Sequence, residues 1–193
     1  MTTGRLPSLR VEQLDPMQLA LYEQIAGGRR ASGPQHFRLR HDDGSLTGPF
    51  NALLHAPTVG GRVSALGEAV RFETAFTDRE REIAILAVAA ARDAAYEQYA
   101  HEALGRARGL TDDELAGIRR GDVVLDDERE RLVHDVAATL AAGRALDDVA
   151  YEAAAVSLGD TTLVELVVLV GYYGLLATVL DAFAIGVPEG DAP

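Results

Sequence analysis

A chain of 193 residues with 48% hydrophobic content holds enough apolar material for one domain with a sizeable core, expected over 1–193 with an N-terminal arm and loop over 1–47. Eighteen basic against thirty acidic residues leave a net charge of −12, with no basic stripe, so neither nucleic acid nor a membrane is expected as a partner. The absence of cysteine removes disulfides, thiolate metal sites and thiol nucleophiles together.

The first residues, Met1-Thr2-Thr3-Gly4-Arg5-Leu6-Pro7, contain no apolar signal core, which gives a cytoplasmic expectation. Apolar residues then recur at helical rather than alternating spacing, and alanine, leucine, glutamate and arginine dominate, so the fold class is all-α. The pattern predicts a short helix over Met17–Ala26, followed by a long loop over Gly27–Gly48 rich in Gly, Arg, His and Asp. Loops of that length border a site or an interface. The apolar segment Gly48–Pro57 carries His55, which either lines a pocket or satisfies a backbone group; Pro57 is expected to end the segment. A helix over Val59–Phe72 closes with Arg71, a candidate partner for a substrate carboxylate or for the helix C-terminus.

Three capping boxes, Thr77 with Glu80, Thr111 with Glu114 and Thr162 with Glu165, predict helix starts. The first opens a helix over Asp78–Ala91 on which Glu82 shares a face with Leu86 and Ala89, pointing inward or simply complementing the helix dipole. Asp93 and Ala94 break the chain before a second helix, about Ala95–Arg108, which Gly109 ends; the two are expected to pack antiparallel. Helices over Asp127–Ala142 and Asp147–Leu158, stopped by Gly143 and Gly159, precede the last one. Its apolar run Leu166–Leu180 is shorter than the roughly 20 residues of a membrane span and contains Tyr172 and Tyr173, which reads as a buried helix.

Within Ala95–Arg108, Glu97 and His101 stand one turn apart on a face shared with Ala94 and Leu104. His101 is the type of side chain that titrates near neutral pH, and a carboxylate beside it makes either an acid/base unit or an ordinary helix contact worth about 0.2–0.5 kcal/mol. His36, His41 and His134 lack partners at ligand spacing, so no metal site is expected. There is no phosphate loop and no serine-nucleophile elbow.

Four segments taken in order resemble the carboxymuconolactone decarboxylase family: Gly48-Pro49-Phe50-Asn51-Ala52-Leu53-Leu54-His55-Ala56-Pro57, Thr77-Asp78-Arg79-Glu80-Arg81-Glu82-Ile83-Ala84-Ile85-Leu86, Tyr96-Glu97-Gln98-Tyr99-Ala100-His101 and Gly109-Leu110-Thr111-Asp112-Asp113-Glu114. The resemblance covers about Gly48–Phe183 and implies an AhpD-like all-α domain built round an antiparallel helical hairpin and assembled as trimers or hexamers. In the family's peroxidase branch two cysteines occupy the positions of Ala94 and Glu97, so thiol peroxidase activity is not expected of a cysteine-free chain. The decarboxylase branch keeps a glutamate and a histidine at Glu97 and His101 and an upstream glutamate at Glu82.

The resemblance thereby implies a cofactor-free lyase acting on a small cyclic acid or lactone, with His101 as general acid/base, Glu97 as proton partner and Glu82 in support. Arg71, Tyr96, Tyr172 and His55 are the candidate substrate contacts. An isomerase, dehydratase or cyclase would use the same groups. A non-catalytic, oligomeric ligand-binding protein is the alternative from another class.

Overall fold

The computed structural model describes residues 4–32 and 34–188, among which lie eight α-helices and no strand. In chain order these are α1 (Pro16–Ala26), α2 (Gly48–Leu54), α3 (Pro57–Phe72), α4 (Asp78–Ala91), α5 (Ala95–Ala107), α6 (Asp112–Arg120), α7 (Glu128–Ala141) and α8 (Asp148–Ala182). The expected helices are present with ends within about two residues, apart from two instructive departures. Pro57 does not merely end α2; it occupies the first turn of α3, where its missing N–H has no intrahelical acceptor to lose and its fixed φ suits a helix.

The other departure concerns Thr162. The boxes at Thr77 and Thr111 form as expected, each threonine hydroxyl accepting from the amide three residues on while the glutamate accepts from the threonine amide. Thr162 instead lies buried inside α8, whose second half already starts after Gly159, the one residue there with non-helical angles (φ 76, ψ 161). Its intended partner Glu165 turns outward and accepts from the amide of Ala75 at 2.8 Å, tying α8 to the turn before α4.

The centre of the molecule is α4. Residues 83–89 are all buried, so the helix has no solvent stripe and is covered by α5, α6, α7 and α8. Its Ala84, Ile85 and Val88 join α7 and α8 in the main core, while Ile83 and Leu86 face α6 through Leu110, Leu115 and Ile118. The chain reverses at Asp93, in the left-handed region at φ 49, and sends α5 back antiparallel along α4. A separate apolar cluster joins α1, α2 and the intervening loop through Leu21, Ile25, Leu39, Leu46 and Leu54.

By length and apolar content α8 could cross a bilayer, yet half of its most apolar stretch is packed inside the protein. Leu166, Leu169, Tyr172, Tyr173 and Leu176 form its inward face.

Candidate active site

The antiparallel hairpin brings together groups distant in sequence. Glu82, on the second turn of α4, faces α5, where Glu97 and His101 stand one turn apart; all three are buried. His101 Nδ1 lies 2.6 Å from Glu82 Oε2, and His101 Nε2 lies 3.4 Å from Glu97 Oε2. The imidazole is thus held between two carboxylates, tightly on one side and loosely on the other. From the end of α3, Arg71 places a guanidinium nitrogen 3.7 Å from the second Glu82 oxygen. The edge of Tyr173 meets the His101 ring at right angles with centroids 5.2 Å apart, fixing its plane.

These distances restrict where protons sit. A neutral imidazole has one lone pair, which here would face a carboxylate; a protonated one donates to both. Burial alone would push His101 down, but the Glu82 charge and hydrogen bond, with the Glu97 hydrogen bond, outweigh it and raise its pKa above the ordinary imidazole value. Burial likewise pushes Glu82 up, and is outweighed by His101, Arg71 and Arg81, which leave its carboxyl below the usual range. With His101 protonated, two cations (His101, Arg71) balance two carboxylates (Glu82, Glu97), so the buried cluster carries no net charge.

The cluster opens onto a cavity of about 220 Å³ to which Glu97, His101 and Arg71 contribute, whereas Glu82 lies behind His101 and does not line it. Aromatic side chains from four helices, Phe50, Phe72, Tyr96, Tyr172 and Tyr173, form much of the remaining wall. Burial raises the phenols of Tyr96, Tyr172 and Tyr173 above their ordinary value, so all three are neutral near pH 7. The Tyr96 hydroxyl shares a hydrogen bond of 2.9 Å with that of Thr47, pinning the start of α5 to the start of α2.

Of the residues singled out in the sequence, Glu82, Glu97, His101, Arg71, Tyr96 and Tyr172 gather at this place. His55 does not: its Nε2 lies 3.0 Å from the Pro7 carbonyl, outside the cavity lining. The expectation of a substrate-facing His55 is therefore corrected, because the turn after α2 points it at the N-terminal arm. Sequence reasoning missed Arg29, Arg30 and His36, which the long loop contributes to the cavity, and Arg108 at the end of α5. The available signal was the loop's length and its paired arginines. The two carboxylates occupy opposite nitrogens of one ring and do not converge on a common point, and no group of three ligands suited to a metal ion occurs among the described residues.

Comparison with known proteins fits this geometry. A search of curated proteins returned no match. Among solved structures, an alkylhydroperoxidase AhpD core, an uncharacterized peroxidase-related protein from Ralstonia eutropha JMP134, superposes with a TM-score of 0.76 at 17% identity, covering 99% of this chain and 95% of that one. The debrominase Bmp8, as a cysteine-to-alanine variant in complex with 2,3,4-tribromopyrrole, gives a TM-score of 0.67 at 14% identity, covering 99% of this chain and 94% of that one. At such identities both likenesses establish the all-α, AhpD-like fold. The family model for carboxymuconolactone decarboxylases matches residues 57–158, from the first turn of α3 to the kink in α8, an interval that contains Arg71, Glu82, Glu97 and His101, and the chain belongs to the carboxymuconolactone decarboxylase family.

Proposed function

We propose that this protein is a cofactor-free enzyme that moves a proton to or from carbon on a small unsaturated ring acid or lactone, with decarboxylation as its leading reaction. The observation that carries the reading is the row Glu82–His101–Glu97, of which His101 and Glu97 line a largely aromatic cavity. The size of that cavity suits one small ring. The ligand named for the debrominase, a five-membered ring, is of that class.

In the proposed reaction the bond from the ring carbon to the carboxylate breaks and carbon dioxide leaves. The electron pair moves into the adjoining unsaturated carbonyl as an enolate, and the carbon then takes a proton from His101 Nε2. Glu82 keeps Nδ1–H in place and stabilises the imidazolium before transfer. Nε2 is the working nitrogen, because Nδ1 is committed to Glu82 and the 3.4 Å contact to Glu97 is too loose to hold its proton. Glu97 hands His101 a replacement proton from solvent, which restores the starting state. Arg71, fixed by Glu82, supplies positive potential to the enolate.

The test is turnover of a panel of small unsaturated ring acids and lactones, followed by carbon dioxide release and ultraviolet absorbance. Wild type is expected to consume at least one member of the panel, and His101→Ala to lose 10²–10⁴-fold in kcat, the usual share of a general acid. A folded His101→Ala variant at full rate removes the assigned role. Saturable binding without turnover by any member would instead favour a ligand-binding protein.

A further inference from the structure

Four arginines line the cavity, and they are unequally compensated. Arg71 faces Glu82 at 3.7 Å, Arg108 faces Asp78 at 3.2 Å and Arg29 faces Glu73 at 3.9 Å. Arg30 has no carboxylate within 4 Å among the described residues, although the chain holds thirty acidic residues against eighteen basic ones. Its guanidinium lies instead 5.5 Å from the centroid of the Phe50 ring. Its other neighbour is the Tyr172 hydroxyl: both tips converge over Gly67 of α3, where an added Cβ would collide with each.

The half-buried Arg30 guanidinium therefore meets an entering anion without a carboxylate partner to displace. The Tyr172 phenol, neutral and adjacent, adds a second donor of the kind that a carboxylate accepts. Arg71 is already committed to Glu82. An anion entering the cavity therefore gains most at Arg30.

We infer that Arg30 and Tyr172 form a carboxylate anchor for the ligand, and that the anchored carboxylate is one the reaction leaves in place. A carboxylate held by an arginine is stabilised against losing carbon dioxide, so the group that departs is another, held away from Arg30. The ligand class is a flat, unsaturated ring acid, its ring against Phe50 and its anionic end on Arg30. The inference rests on the cavity being the ligand site proposed above, and adds the residue that sets specificity within it.

The experiment is binding rather than turnover, so its failure is distinguishable from failure of the proton-transfer reading. Benzoate, its neutral isostere benzamide and inorganic phosphate are titrated calorimetrically into the full chain as wild type, Arg30→Gln, Arg30→Lys and Gly67→Ala. Wild type is expected to bind benzoate at least tenfold more tightly than benzamide or phosphate, with that preference gone in Arg30→Gln and partly kept in Arg30→Lys. Gly67→Ala displaces the tips of both donors without removing either, and is expected to weaken benzoate at least tenfold while melting within a few degrees of wild type. Unchanged benzoate binding in folded Arg30→Gln overturns the inference. So does phosphate competing as well as benzoate, or the absence of saturable benzoate binding in wild type.

Discussion

An imidazole with a carboxylate on each nitrogen has one comfortable charge state, and this makes the Glu82–His101 pair a source of pH-dependent stability. Glu82 titrates below its ordinary value of 4.5, so its contribution is complete above that value and is lost as pH falls through the lowered one. His101 titrates above its ordinary value of 6.5, so its contribution is complete below 6.5 and is lost as pH rises through the raised one. The difference in unfolding free energy between wild type and the double variant Glu82→Gln, His101→Gln is accordingly expected to peak between about pH 4.5 and 6.5 and to shrink on both sides, as read from urea unfolding across pH. A flat difference removes the ion pair. Glu82→Ala alone leaves His101 and Arg71 facing a gap, and is expected to cost about 3–5 kcal/mol, the range for breaking a buried pair from one side. The relation of Glu97 to His101 was legible in the sequence, because four residues on a helix fix a distance. The closer partner was not: Glu82 reaches His101 across nineteen residues and a turn, and only the packing of α4 on α5 decides whether a glutamate near the start of α4 faces inward or outward. Arg30 was less legible still, since what marks it is the lack of a carboxylate within 4 Å among the described residues.

Helix starts were read well wherever the capping chemistry is local. Thr77→Ala removes a hydroxyl that accepts from the Glu80 amide at 3.1 Å, and is expected to cost about 1 kcal/mol, seen as a fall of about 2–4 °C in Tm for a chain of this size. The same signature misleads at Thr162, because a capping box needs a helix to begin there, and Gly159 has already set the start of the second half of α8. At φ 76 and ψ 161 this position excludes side chains by backbone conformation alone; a Cβ would meet nothing within 4 Å. Gly159→Ala is therefore expected to destabilise by about 1–3 kcal/mol without disturbing any contact, whereas a neutral result by thermal unfolding would mean that the kink straightens at no cost. Hairpin and kink thus differ in what encodes them: α4 and α5 are set by periodicity and turn residues, and the bend in α8 by one glycine.

At the scale of the whole molecule, α8 presents an apolar strip outward. Val164, Val168 and Leu175 follow one another at helical spacing, with Val167 beside them, and remain 62, 39, 40 and 48% exposed respectively. Isolated exposed valines are ordinary, but a row of them on the most apolar helix of a chain with net charge −12 calls for a cover. The family resemblance implies trimers or hexamers, and a second copy of the chain is the cover that this strip would take. Val164→Asp with Val168→Asp introduces two carboxylates per protomer into that contact, where like charges from neighbouring copies would meet in a desolvated interface. Light scattering on wild type at micromolar concentration is expected to give an oligomer and on the double variant a monomer. The variant should keep the far-ultraviolet dichroism of wild type, because neither valine belongs to the buried core. An unchanged oligomer would put the interface elsewhere on the surface, and a wild-type monomer would leave the strip exposed in solution. Neither result would touch the buried cluster, since Glu82, Glu97, His101 and their cavity are assembled within one copy of the chain.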